Sequence, residues 1–187
     1  RKAISLEGIA ELIKKIFGVV FSREAVRQWV LTTEKPIFRR EITVPTTWHA
    51  DEIYQKIKGK GNWLWIVYDK IGVLSWHISK QRTIEDARKL LRAAKLIAGV
   101  QPKRIITDGL QQYCYAIKKE IGWNYKDQKV KHIVSSGIGK NWFIERLNKE
   151  IRRRTNWFGS FQSKKGALAF FGLWFYHFNQ RKATHPT

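Results

Sequence analysis

Asp51, Asp108 and Glu145 are three carboxylates in a chain of 187 residues whose 36 Lys and Arg outnumber its 15 Asp and Glu, for a formal net charge of +21. Carboxylates are hard oxygen donors suited to Mg²⁺ or Mn²⁺. A set of them holding two ions about 3.5–4 Å apart can activate an attacking oxygen and stabilise a leaving one in an in-line displacement at phosphorus, without any protein nucleophile. Taken singly, each has a plainer reading: Asp51 as a solvated strand residue, Asp108 as a turn aspartate, Glu145 as half of a surface pair with Lys149. The metal reading depends on whether the fold brings the three to one point.

The elements expected from the pattern allow this. Residues 48–54, 63–69 and 73–79 are rich in aromatic and β-branched residues, and Asp69-Lys70-Ile71-Gly72 supplies a tight turn, so three antiparallel strands follow. Thr83, with Asp86 three positions on, opens a helix whose apolar set Ile84, Ala87, Leu90, Leu91, Ala94 and Ile97 lines one face, and Gly99 can end it. A short strand at 104–107 ends at Asp108-Gly109, a helix runs over about 110–121, and a strand follows at 130–134. Helices over 141–154 and 164–179 close the chain, the second so apolar that it must be largely buried. A right-handed crossover puts the first strand in the middle of a mixed sheet beside the fourth, with Asp51 and Asp108 on adjacent strands. On the Glu145 helix, Asn141, Glu145, Asn148 and Arg152 form a polar stripe, apart from the apolar face of Ile144, Leu147 and Ile151.

Upstream, residues 6–17 and a helix capped by Ser22 read as helix, turn, helix, with Arg23, Arg27 and Gln28 facing outward as major-groove contacts. An ordinary helical hairpin packed on the main domain fits the pattern equally. Pro36 and Pro45 mark a linker, which divides the chain into a DNA-binding segment at 1–45 and a main domain at 46–187.

A charge of this sign and size serves chiefly against a polyanion, and nucleic acid is favoured over an anionic membrane. The longest apolar run, residues 167–178, is too short to cross a bilayer, and no signal-peptide pattern opens the chain, so an intracellular protein with no membrane partner is expected. The single cysteine, Cys114, excludes an internal disulfide and reads as core packing. With no methionine and Arg1 at its start, the chain is expected to be a piece of a longer polypeptide. Cations dominate the last third, with Lys140, Lys149, Arg152, Arg153 and Arg154 interleaved with Trp142 and Trp157. Trp157 is a candidate for stacking on a flipped base, although most of the tryptophans read as core.

Four segments carry a family resemblance: Trp48-His49-Ala50-Asp51-Glu52, Ile106-Thr107-Asp108-Gly109, Asn141-Trp142-Phe143-Ile144-Glu145-Arg146 with Arg152 seven residues after the glutamate, and Phe175-Tyr176-His177-Phe178-Asn179 with Arg181 and His185-Pro186. In this order and spacing they resemble a DDE transposase of a prokaryotic insertion sequence, most like insertion-sequence family six. The resemblance implies an α/β, ribonuclease H-like fold: a mixed five-stranded sheet flanked by helices, here preceded by the helix-turn-helix segment. It implies that Asp51, Asp108 and Glu145 hold two Mg²⁺ or Mn²⁺ ions, that Asn141 and Asn148 contact sugar or phosphate, and that Arg152 binds DNA backbone or a terminal base. Double-stranded DNA, at transposon ends and target, is the implied partner of a homodimer or higher oligomer, cytoplasmic and nucleoid-associated in a prokaryote. A nuclease or resolvase of the same fold, or a domesticated DNA-binding protein without catalysis, is the alternative.

Overall fold

The computed structural model describes residues 5–32, 46–122, 130–135, 142–157 and 159–184. Most of the expected linker, together with Lys140, Asn141 and the closing His185-Pro186, lies outside them.

The sheet starts as a hairpin. Strands β1 (Thr47–Ile57) and β2 (Lys60–Asp69) pair antiparallel, with Ile57 opposite Lys60. The two residues between them, Lys58 (φ 51°) and Gly59 (φ 71°), are both left-handed, the requirement of a type I′ turn whose twist suits the flanking strands. Both strands are longer than the sequence pattern suggests, because the hairpin tip is polar and carries no apolar alternation. Strand β3 (Val73–Ser79) pairs antiparallel with β2. Their turn is held by Asp69, whose Oδ1 accepts from the N–H groups of Ile71 (2.9 Å) and Gly72 (3.0 Å).

Helix α3 (Ile84–Ala98) has the reciprocal capping box of Thr83 and Asp86 and ends at left-handed Gly99. Strand β4 (Arg104–Thr107), helix α4 (Gln111–Ile117) with a π-helical turn at Lys118–Gly122, and strand β5 (Lys131–Val134) follow. The sheet order is β3-β2-β1-β4-β5, with β4 parallel to both β1 and β5. The first strand is therefore central and lies beside the fourth, as the crossover argument requires.

Strand periodicity assigns the two cores. On one face, Trp48, Ala50, Trp65 and Val67 pack with Leu90, Leu91 and Ala94 of α3 and with Tyr113, Ala116 and Ile117 of α4. On the other, Ile53, Leu64, Ile66 and Tyr68 pack with Ile144, Leu147 and Ile151 of helix α5 (Trp142–Thr155) and with Phe171, Phe175 and Phe178 of helix α6 (Lys164–Thr184). Asn179 ties α6 to the sheet: its Oδ1 accepts from the Val73 N–H and its Nδ2 donates to the Val73 carbonyl, each at 2.8 Å. A Cβ at Gly72 would collide with that amide.

Helices α1 (Leu6–Phe17) and α2 (Arg23–Thr32) form the N-terminal pair, capped by Ser5, Gly18 and Ser22. Helix α2 packs against α6. Among the described residues, no helix is long and apolar enough to cross a membrane.

Candidate active site

Strand β4 lies parallel to β1 with Thr47 opposite Arg104 and His49 opposite Ile106. Two residues further along that register, Asp51 falls beside Asp108, just past the point where β4 stops at Thr107. Gly109 is what lets the chain leave the strand there. Its φ is +100°, and a Cβ on it would meet the Val134 side chain at 2.9 Å. The Asp108 Oδ1 accepts the Leu110 N–H at 3.1 Å, which steadies the turn.

A third carboxylate joins these two, and it is Glu52. Ligand oxygens of Asp51, Glu52 and Asp108 lie within 4.8 Å of one another. Neighbours on a strand point to opposite faces, which is why the sequence pattern passes over Glu52. Here β4 has ended, so the edge of β1 is open and side chains from both faces reach Asp108 around it. Glu52 is held from the α3/α4 side: it accepts the Tyr113 hydroxyl at 3.1 Å and the Arg82 guanidinium at 3.3 Å. Arg82 also lies over the Trp63 ring, 4.2 Å from its centroid. The signal that could have found Glu52 is its adjacency to Asp51, together with β4 ending right after Thr107.

The cluster's electrostatics are those of acids short of countercharge. Burial, then the neighbouring Asp108 charge, raise the Asp51 carboxyl to about 6, although the Glu52 N–H and the Asn148 amide favour its ionised form. Burial, Asp108 and Asp51 raise Glu52 to about 7, against the Arg82 and Tyr113 contacts. Burial and the adjacent carboxylates also push the Tyr113 phenol well up, so it stays a hydrogen-bond donor.

Helix α5 lies over the Asp51 side. Asn148 Nδ2 donates to Asp51 Oδ2 at 2.6 Å, and the Arg152 charge also acts on Asp51. The other amide atom, Asn148 Oδ1, is buried with no hydrogen-bond partner among the described residues. Glu145 sits on the same helix one turn before Asn148; it is exposed and stands outside the group of converging carboxylates. The expected polar stripe is thus divided, with Asn148 turned inward and Glu145 at the surface.

The other expected DNA contacts are spread over two regions. Lys149, Arg152 and Arg153 are exposed on α5, Arg154 is half-buried, and Trp157 is 89% exposed. On α2, Arg23 is exposed, but Arg27 and Gln28 are both engaged by Glu24, at 2.6 and 2.7 Å. Cys114 is half-buried and lies 3.8 Å from His132 Nδ1, while His132 Nε2 is 3.0 Å from the Thr107 hydroxyl.

A family model described as a DDE domain, of the IS240-type transposases, matches residues 45–172. No curated protein matches the chain. The catalytic domain of the Mos1 mariner transposase superposes with a TM-score of 0.50 at 10% identity, covering 95% of this chain and 82% of that one. The HTLV-2 integrase catalytic core with magnesium, in its trimeric form, gives 0.45 at 19% identity, covering 72% and 86%. A chain of the simian T-cell lymphotropic virus intasome complex gives 0.48 at 15% identity; the match covers 82% of this chain and 60% of that one. The likeness to the Mos1 domain is one of fold: the mixed five-stranded sheet flanked by helices is the ribonuclease H-like arrangement. Since the family model spans more than half of its length, the chain belongs to the DDE domain family of IS240-type transposases.

Proposed function

We propose that the chain is the catalytic core of a DNA transposase that hydrolyses DNA at the ends of its element and joins the freed 3′-hydroxyls to target DNA. The observation that carries this reading is the convergence of Asp51 and Asp108 across the parallel β1–β4 pair, in a chain of net charge +21. The site fits divalent cations. Its donors are hard carboxylate oxygens within 4.8 Å of one another, and the buried, unpartnered Asn148 Oδ1 beside them is an acceptor that a cation-bound water can satisfy.

Asp51 and Asp108 are the sheet-borne ligands. Glu145 is the helix-borne one, since residues three apart on a helix lie roughly 5–6 Å from each other and Asn148 already touches Asp51. Glu52 adds a fourth carboxylate at the open edge. Two Mg²⁺ or Mn²⁺ ions, when bound, supply activation of the attacking oxygen and neutralisation of the leaving one. Arg152 and the exposed cations of α5 hold the phosphate backbone of duplex DNA, and Lys140, Asn141, Arg23, Arg27 and Gln28 are further DNA contacts in this reading. In the hydrolytic step a water oxygen bonds to phosphorus as the P–O3′ bond breaks, leaving a 3′-hydroxyl. In the joining step that hydroxyl makes the new P–O bond while the target P–O3′ bond breaks. Two element ends must meet, so the working form is a dimer or larger assembly.

The test uses duplexes carrying the inverted repeats that flank the gene, with purified chain in Mg²⁺. Cleavage followed by joining is expected, and Asp51→Asn, Asp108→Asn and Glu145→Gln each abolish it while DNA binding persists. Cleavage without joining would make the protein a nuclease. Full activity in Asp108→Asn would leave a DNA-binding protein whose acids are structural.

A further inference from the structure

A cleft of ≈ 420 Å³ opens along the edge of β1, beside the carboxylates but separate from them. The type I′ hairpin makes Ile57–Lys60 a hydrogen-bonded pair, so by alternation the odd residues of β1 give their backbone groups to β2 and the even ones turn theirs to the other edge. On that edge β4 covers Thr47 to His49, and the Phe161 segment returns to bond Lys56 and Lys58, with Phe161 N–H to Lys56 O at 2.9 Å and Lys58 N–H to Phe161 O at 2.7 Å. Between these two patches neither covers the backbone edge at Glu52 and Tyr54. The cleft lies at its Tyr54 end.

The lining is chemically mixed. Lys56 and Arg152 bring two cations, Gln55 and Asn156 bring two side-chain amides, and Tyr54, Thr155, Gly159 and Phe161 complete the lining. Gln55 is buried, at 5% exposure, and lines the cleft. Trp157, which follows Asn156 in the chain, is almost fully exposed. Cations bind a phosphate, and amides read a base edge by paired donor and acceptor. The volume is that of a small-ligand pocket. It is enough for one nucleotide. Tyr54 is three residues along β1 from Asp51, roughly 10 Å at strand rise. A strand whose phosphate lies at the acids therefore carries a neighbouring nucleotide to the cleft.

We infer that this cleft is a binding site for a single unstacked nucleotide next to the reacting phosphate, with Gln55 and Asn156 contacting its base and Arg152 and Lys56 its phosphate. The inference rests on the DNA-processing reading above and adds to it a base-sensing site. The probe is fluorescein-labelled, 5′-phosphorylated tetrathymidylate, compared with tetramers in which one position at a time is abasic, at constant salt by anisotropy.

Wild-type chain is expected to bind the abasic probe about tenfold or more weakly at one position, the scale of one paired donor–acceptor contact to a base edge. Gln55→Leu and Asn156→Ala are expected to weaken the intact probe by a similar factor and to leave the abasic probe unchanged, with thermal melting confirming that both variants fold. No binding of the tetramer, equal affinity for intact and abasic probes, or an equal loss for both probes in the variants overturns the inference. The same preparations are assayed for duplex cleavage in Mg²⁺. Cleavage without base preference refutes the nucleotide site alone, and base preference without cleavage refutes the transposase reading alone.

Discussion

Raising the pH should strengthen divalent-cation binding steeply and then stop. With Asp51 near 6 and Glu52 near 7, both carboxyls are protonated at pH 5 and ionised at pH 8. A cation must displace those protons. Its apparent association constant should rise by up to ~100-fold per pH unit below about 6, ~10-fold per unit between 6 and 7, and level off above. Between pH 5 and 7.5 the accumulated change is roughly 10³-fold, or about 4 kcal/mol of binding free energy. The stability of the metal-free chain should move the other way. Both folded values lie above their unfolded ones near 4, so the favourable contribution is present at low pH and disappears as the pH rises through 6 to 7. For Asp51 it reaches at most about 3 kcal/mol, reduced by solvent screening at the open cleft. Calorimetric titration with MgCl₂ and MnCl₂, in buffers of differing ionisation enthalpy from pH 5 to 8, reads affinity and proton release together. At pH 5.5 release should approach two protons and at pH 8 none. An affinity independent of pH, or binding with no proton exchange, would refute the argument that the acids converge on a cation.

Other outcomes follow from single contacts. Glu52→Gln should lower the pH at which cation binding levels off and weaken the binding itself, whereas a Glu52 that serves only to hold Tyr113 and Arg82 would leave titrations unchanged. Asn148→Leu removes a donor that favours the Asp51 carboxylate, so the pH midpoint of cation binding should shift upward; an unshifted midpoint would contradict the 2.6 Å contact. Asn179→Ala strands the N–H and carbonyl of Val73 and should cost about 2–4 kcal/mol, seen as a lower melting temperature. DNA affinity should fall by ~10³–10⁵ between 50 and 200 mM salt if six to ten phosphates are contacted, and a shallow slope would argue against a groove lined by the α5 cations.

Much of the architecture was readable because local rules and the global fold agree. The Thr83–Asp86 cap, the Gly99 stop and the apolar stripe between them specify α3 without reference to anything distant. Strand order followed from chain connectivity, since a meander followed by right-handed crossovers leaves few arrangements. The hairpin tip was hidden because Lys58 and Gly59 signal through backbone conformation more than through composition. Arg27 and Gln28 read as outward-facing DNA contacts, yet both lie against Glu24, a pairing that i,i+3 and i,i+4 spacing on α2 would have suggested.

The candidate site separates what sequence and tertiary structure each decide. Residue order alone placed Asp51 on the central strand and Asp108 at the end of its parallel neighbour, because both positions depend on alternation and connectivity, which are local. The convergence of Glu52 depends on where β4 stops and on how far a carboxylate reaches around an open edge. The inward turn of Asn148, with Glu145 left at the surface, depends on how α5 is rotated over the sheet. Edge length and helix rotation are set by packing between segments distant in the chain, through Ile144, Leu147 and Ile151 against the odd-numbered face of β1. No pattern within either segment records them.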